Sequence, residues 1–183
     1  GTDTGGSVRL PAAYCGITGF KFTVGLVDTQ GVAPLSKTLD SIGVFAKSMA
    51  ETALVYDALV DDPQRATSAP AMTTESARKL LQGLRIGRIA PHELKDVQAE
   101  IVKAYEETLE FLKSAGAHIT TLELPCAIAD LAPMAVNIMV TEGAAAYGAL
   151  ANDLTKPMDS GIRPRLQAGA KLLAIDYIAA LEN

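Results

Sequence analysis

The sequence predicts a mixed α/β fold, and three observations carry that reading. Short alternating or apolar segments at 19–24, 44–46, 84–90 and 117–124 have the character of strands. Longer segments at 96–115, 128–151 and 160–182 have helical spacing or composition. The order strand, helix, strand over 84–124 calls for a parallel pair joined by a right-handed crossover. The class expected is therefore a largely parallel sheet core flanked by helices. With 183 residues, 49% of them hydrophobic and 20% charged, the chain has the material for an ordered core.

Taken in order, residues 1–10 read as an irregular turn crowded with glycine. Pro11 suits the first position of a helix and Gly16 its end, which gives one tight helix over 11–15. Gly19 to Val24 alternates as a strand. Residues 25–42, with Gly25, Gly31 and Pro34, form a long connection of the kind that often carries function. After the short apolar strand Val44 to Ala46, Ser48 caps a helix and Glu51 completes a capping box. Ala50, Leu54, Ala58 and Leu59 follow helical spacing there.

Residues 61–76 are rich in Asp, Pro, Ser, Thr and Ala and read as an exposed linker. The helix over 96–115 presents Val97, Ile101, Ala104, Tyr105, Leu109 and Leu112 on one face, and Gly116 ends it. The two last helical segments are separated by a Pro/Gly-rich break at 157–161. In domain terms this is one partial domain over 1–183: a core region at 1–60, a linker at 61–83, and a strand–helix–strand unit with a helical region at 84–183.

Composition excludes several classes. A net charge of −5 without a basic stripe argues against a nucleic-acid surface, because phosphate contacts need clustered Lys and Arg. The apolar stretch at 128–151 is interrupted by Asp130, Pro133, Asn137 and Glu142, so no membrane span is expected. Cys15 and Cys126 lie far apart and read as reduced thiols of a cytoplasmic protein. His92, after Pro91, reads as a surface residue, and His118 as packing on a strand; with no close Cys/His cluster there is no zinc site. Chemistry must come from hydroxyls, backbone and carboxylates.

One segment fits that description: Gly1-Thr2-Asp3-Thr4-Gly5-Gly6-Ser7-Val8-Arg9, leading into Leu10-Pro11-Ala12-Ala13-Tyr14-Cys15-Gly16. Three glycines surround a single serine, and consecutive N–H groups in such a turn can converge on an anion or a developing oxyanion. A serine is a poor nucleophile alone; it needs a base for its proton and donors for the oxyanion. The N–H groups of Thr4, Gly5, Gly6 and Ser7 are the candidate donors. Asp3-Thr4-Gly5 also matches the D-T-G of aspartic proteases, but no apolar strand leads into it and a second catalytic aspartate would be required. No phosphate-binding G-x-x-x-x-G-K-[ST] is present.

The whole segment resembles the second half of the signature of the amidase signature family of serine hydrolases. The likeness continues through Gly19-Phe20-Lys21, Gly31-Val32-Ala33-Pro34-Leu35-Ser36 and Leu39-Asp40-Ser41-Ile42-Gly43. It is strong over about 1–60, and Ala174-Ile175-Asp176-Tyr177-Ile178 is similar to a late helical segment of the family. Phe22 and Val44 stand where the family usually has proline; neither touches the serine turn.

The resemblance implies a Ser–cisSer–Lys triad with Ser7 as acyl nucleophile, the N–H groups of Thr4 to Ser7 as oxyanion hole, and Asp3 and Arg9 as braces of the loop. The bridging serine and the lysine would lie upstream, which makes this an internal piece of a longer amidase. The implied reaction converts a carboxamide to a carboxylic acid and ammonia or an amine, without metal or cofactor. Its partner is a small-molecule amide; neither nucleic acid nor membrane is implied, and a homodimer is allowed. The alternatives are the amide-hydrolysing subunit of a tRNA-dependent amidotransferase, and an inactive piece serving as scaffold. Tyr14 and Cys15 sit close enough in sequence to line the nucleophile's pocket or to pack behind it. Met134, Met139, Tyr147 and Leu150 read as helical core or as the wall of an acyl pocket, and Glu142 as a solvent-facing break or a buried polar contact.

Overall fold

Two short strands and a helix open the chain: β1 (Thr2–Asp3), α1 (Arg9–Cys15) and β2 (Thr18–Lys21). They are followed by β3 (Ser41–Ala46), α2 (Met49–Leu59), α3 (Thr74–Leu81), β4 (Arg85–Arg88), a 3-10 turn (Pro91–Leu94), α4 (Ala99–Ser114), β5 (His118–Thr121), α5 (Ile128–Asn152), α6 (Ile162–Gly169) and α7 (Ala174–Glu182). The computed structural model describes residues 1–60 and 74–182, so the 61–73 part of the linker expected at 61–83 lies outside the described residues. The chain divides into two compact units, Gly1–Ser68 with Ala132–Asn183, and Ala69–Leu131.

In the first unit β3 lies between β1 and β2 and runs antiparallel to both, with Asp3 opposite Ser41 and Gly19 opposite Phe45. The head of the chain is thus partly strand, where an irregular turn was expected, because Thr2 and Asp3 find partners about forty residues on that no local pattern announces. Helix α1 begins at Arg9 rather than Pro11, and Pro11 occupies its third position, where a missing N–H still removes no helical bond. Gly16 closes it in the left-handed conformation, φ 64°, its N–H donating to the Ala12 and Ala13 carbonyls.

Glycine lets α1 lie directly on the sheet. A Cβ on Gly19 would stand 2.5 Å from Ala12 Cβ and 2.8 Å from the Val8 carbonyl; one on Gly43 would stand 2.9 Å from the Phe20 carbonyl and 3.0 Å from Val8 Cγ2. Val8 is fully buried in that contact, and Val44 is buried within β3. Phe22, the other residue at a position where proline is usual, buries its ring against Tyr56 of α2, edge to face at 5.2 Å.

Helix α2 starts as its sequence foretells: Ser48 Oγ accepts from Glu51 N–H at 3.2 Å, while the Glu51 carboxylate accepts from Lys47 N–H at 2.8 Å. The face it buries is different from the one expected. Leu54 is 71% exposed and Ala50, Ala58 and Leu59 are exposed, whereas Thr52 is buried and Ala53 and Tyr56 are half-buried. Thr52 can go inside because its hydroxyl donates to the Ser48 carbonyl at 2.9 Å.

The 25 residues of α5 bury a stripe of mostly small side chains, Ile138, Gly143, Ala144 and Ala151. Met134, Met139 and Tyr147 are half-buried and Leu150 is exposed, so these four are not the helical core. Helix α6 crosses α5 at Gly169, where an added Cβ would come within 2.0 Å of the Val140 carbonyl oxygen. At the end of α5, Arg163 donates to the carbonyls of Ala151 (2.7 Å), Asp153 (3.1 Å) and Lys156 (2.6 Å), supplying partners that a helix C-terminus lacks.

In the second unit β4 and β5 pair in parallel, Arg85 opposite His118, with α4 in the crossover between them. The mixed α/β class stands, with a smaller parallel share than expected, since the three-stranded sheet is antiparallel throughout. Residues 74–81, expected within the linker region, form α3. On α4 the side chain buried is Leu109, flanked by half-buried Val102, Tyr105 and Leu112, while Ile101 and Ala104 are exposed. His92 and His118 are both exposed; for His118 this corrects the packing role, because the strand's alternate residue Ile119 turns inward instead. No helix among the described residues is long and apolar enough to cross a membrane.

Candidate active site

The serine turn is built around one buried carboxylate. Asp3 ends β1 with its side chain wholly enclosed, and the chain from Gly6 to Arg9 wraps around it. Its Oδ1 accepts from Gly6 N–H at 2.7 Å, and its Oδ2 from the N–H groups of Val8 at 3.1 Å and Arg9 at 3.2 Å. Arg9 then folds back, donating from Nη2 to Oδ1 at 2.9 Å and from Nε to Oδ2 at 3.0 Å. Burial works to raise the Asp3 carboxyl, but the guanidinium and the three backbone donors outweigh it and hold it well below the usual carboxylate range. The charge is therefore fixed at neutral pH.

This wrapping decides which atoms face outward. Gly6 N–H, expected among the oxyanion donors, instead points inward to Asp3 Oδ1, because the carboxylate occupies the inside of the turn. Gly6 adopts φ 116°, and a Cβ there would meet Leu10 Cδ1 at 2.9 Å, so only glycine suits the bend. Gly5 differs: a Cβ on it would meet nothing within 4 Å. Among the described residues, no hydrogen bond occupies the N–H groups of Thr4, Gly5 or Ser7, or the Ser7 hydroxyl. Gly5 and Ser7 are both exposed, and Ser7 stands two residues ahead of α1, whose backbone is clamped to the sheet through Gly19 and Gly43.

A second carboxylate holds the other flank. Thr4 Oγ1 donates to Asp40 Oδ1 in a short hydrogen bond, and Asp40 Oδ2 accepts from Leu35 N–H at 2.7 Å and Ser36 N–H at 3.0 Å. A third carboxylate, Glu142 on α5, gathers the same loop from behind. Glu142 Oε2 accepts from Ser36 Oγ at 2.6 Å and Thr38 N–H at 3.0 Å; Oε1 accepts from Thr38 Oγ1 and from Tyr177 Oη of α7 at 2.7 Å. Burial again opposes ionisation, and again the donors prevail, holding the Glu142 carboxyl down at about 2. Of its two sequence readings, the polar contact is the one found, with Glu142 half-buried rather than buried.

Other candidates stand apart from this arrangement. Tyr14 is 89% exposed and Cys15 is exposed, so neither packs behind the serine turn; both cysteines are free thiols. Glu142 and Asp40 escape sequence reasoning as site residues because the contacts that tie them to the site are distant in sequence, 106 positions for Glu142 with Ser36 and 36 for Asp40 with Thr4. The only signal was a carboxylate on an otherwise apolar helical run.

A model of the amidase family matches residues 1–176. Among curated relatives, a glutamyl-tRNA(Gln) amidotransferase subunit from Thermosynechococcus vestitus is 39% identical over 130 residues, covering 69% of this chain and 27% of that protein. A protein of the same description from Acidobacterium capsulatum is 36% identical over 129 residues, with 68% and 27% covered. Among solved structures, an amidase superposes with a TM-score of 0.80 at 26% identity, covering 100% of this chain and 39% of that one. A peptide amidase in complex with the competitive inhibitor chymostatin gives a TM-score of 0.68 at 26% identity, covering 100% and 43%. The chain spans about a quarter of the length of the curated relatives it matches, 27% in both cases quoted.

Proposed function

The chain belongs to the amidase family, and from that premise we propose that the protein hydrolyses a linear carboxamide through an acyl-enzyme on Ser7. The observation that carries this reading is that the Ser7 hydroxyl and the N–H groups of Thr4, Gly5 and Ser7 carry no hydrogen bond among the described residues, on a turn whose Gly6, Val8 and Arg9 N–H groups are taken by Asp3. Ser7 Oγ attacks the amide carbon as its proton passes to a relay, and the developing oxyanion is met by the unengaged N–H groups of Thr4, Gly5 and Ser7. Such donors, preorganised and fixed before the reaction, are each worth about 10²–10³ in rate. The C–N bond then breaks as the nitrogen takes the relayed proton, releasing ammonia or an amine. Water adds to the seryl ester, the Oγ–C bond breaks, and the carboxylic acid leaves with Ser7 restored. No step calls for a metal or a cofactor. The relay is assigned to the lysine and bridging serine that the family resemblance places ahead of the signature, in the full-length protein.

A second reading, the ammonia-releasing subunit of a tRNA-dependent amidotransferase, is favoured by the identity of 36–39% to proteins of that description. Both readings use the same serine. A fluorophosphonate probe on the full-length protein labels Ser7 under either, and Ser7→Ala removes the label; labelling that survives Ser7→Ala overturns both. Hydrolysis of simple carboxamides by the protein alone supports the first. Glutamine hydrolysis that requires added partner proteins supports the second.

A further inference from the structure

We propose that Asp40, Glu142 and Tyr177 are positioning residues of the serine turn, acting through Thr4 to set where Gly5 N–H points. The proposal rests on the reading of Ser7 as nucleophile, and goes beyond it in assigning a role to side chains on two distant helices. The turn has two anchors. The inner one, Asp3, grips Gly6, Val8 and Arg9 and so fixes everything after Gly5. The outer one is the hydroxyl of Thr4 on Asp40 Oδ1, which holds the flank before Gly5 at the point where the pairing of Thr2 and Asp3 with β3 ends. Gly5 itself has open space around it, so its orientation is inherited from these two neighbours.

Asp40 is in turn part of a closed loop. Its Oδ2 draws in the N–H groups of Leu35 and Ser36, its own N–H donates to the Ser36 carbonyl at 2.8 Å, and Ser36 is wholly buried with its hydroxyl on Glu142. Thr38, between them, gives Glu142 both its N–H and its hydroxyl. Tyr177 Oη completes the set from α7. A continuous series of hydrogen bonds therefore runs Tyr177, Glu142, Ser36, Asp40, Thr4, and stops one residue short of the outward N–H groups. Merely holding the 35–40 loop down would need apolar contact only. Three carboxylates in succession, Glu142, Asp40 and Asp3, give directional acceptors instead, and direction is what a donor aimed at an oxyanion needs.

The test uses the full-length protein with Thr4→Val, Thr4→Ser, Glu142→Gln and Tyr177→Phe. Thr4→Val is expected to lower kcat and the rate of fluorophosphonate labelling by about 10- to 100-fold with KM within about twofold of wild type, as for a misplaced oxyanion donor. Thr4→Ser keeps the hydroxyl and restores the rate. Glu142→Gln and Tyr177→Phe follow in decreasing order. Hydrogen exchange of the backbone amides of residues 4–7, read by mass spectrometry, quickens in the same order. Unchanged exchange in Thr4→Val and Tyr177→Phe overturns the relay even if the enzyme reading holds, and quickened exchange with unchanged kcat overturns its catalytic part. An inactive, unlabelled wild type would instead refute Ser7 as nucleophile, while exchange still decides the relay. If Glu142→Gln does not fold, Thr4→Val and Tyr177→Phe decide alone.

Discussion

Arg9 holds the Asp3 carboxylate in a fork, Nη2 on Oδ1 at 2.9 Å and Nε on Oδ2 at 3.0 Å, and both oxygens are also claimed by backbone N–H groups of the turn between the two residues. Sequence neighbours six apart thus enclose a charge that water does not reach, while the guanidinium remains about half exposed, 54% by side-chain area. The brace and the nucleophile are parts of one loop.

Asp3→Ala is accordingly expected to cost more than a surface ion pair. Arg9 can be rehydrated, but the N–H groups of Gly6 and Val8 cannot, and buried unsatisfied donors cost about 1–3 kcal/mol each. A loss of about 2–4 kcal/mol in urea unfolding, with fluorophosphonate labelling abolished, is the expected outcome. Unfolding unchanged within about 0.5 kcal/mol would show that the turn does not depend on the carboxylate.

The two adjacent glycines should separate stability from chemistry. Gly6→Ala forces a side chain into φ 116° and against Leu10 Cδ1 at 2.9 Å, for an expected loss of about 1–3 kcal/mol. Gly5→Ala meets no protein atom within 4 Å, so the melting temperature should hold. The added methyl stands on the open side of the turn, however, where a substrate must approach the N–H, and amide hydrolysis should fall. Thermal unfolding and kcat/KM measured on both variants check the split; equal melting losses would refute it.

What the sequence disclosed follows from the range of the forces involved. Gly16, Gly116 and the pair Ser48 and Glu51 act within one turn, so they marked helix ends correctly. The serine turn announced itself through glycine content and its resemblance to a signature. The buried face of α2 was not legible, because the helix is apolar on nearly all sides and the choice of Thr52 over Leu54 is made by the sheet beneath it. β1 and the partners of Glu142 were hidden for a related reason: each contact spans 35 or more positions, and nothing in a local pattern encodes its other half.

Gly169 tests how α5 and α6 are joined. An added Cβ would lie 2.0 Å from the Val140 carbonyl oxygen and 2.4 Å from its carbon, both rigid backbone atoms. Gly169→Ala must therefore push the helices apart, with an expected cost of about 3 kcal/mol or more as overpacking. Gly148→Ala, on the same α5 with nothing within 4 Å, should be neutral or slightly stabilising. Comparable melting temperatures for the two variants would sink the close crossing.

Acid should loosen the loop behind the serine turn. The Glu142 carboxyl lies at about 2 in the folded protein against an ordinary 4.5, because the donors Ser36, Thr38 and Tyr177 overcome the effect of burial. A group whose pKa folding depresses stabilises the fold above its unfolded value, and that contribution is lost as pH falls through the interval down to the folded value. The window is then about 4.5 down to about 2, with Asp3 acting in the same direction and extending lower. In Glu142→Gln the carboxylate is gone, so this variant should melt below wild type at neutral pH. Its melting temperature should also decline less steeply across the window, and the two curves should converge near the lower end. Thermal unfolding of both proteins from neutral pH to about pH 2 reads the difference, and parallel curves would show that Glu142 is not the titrating group.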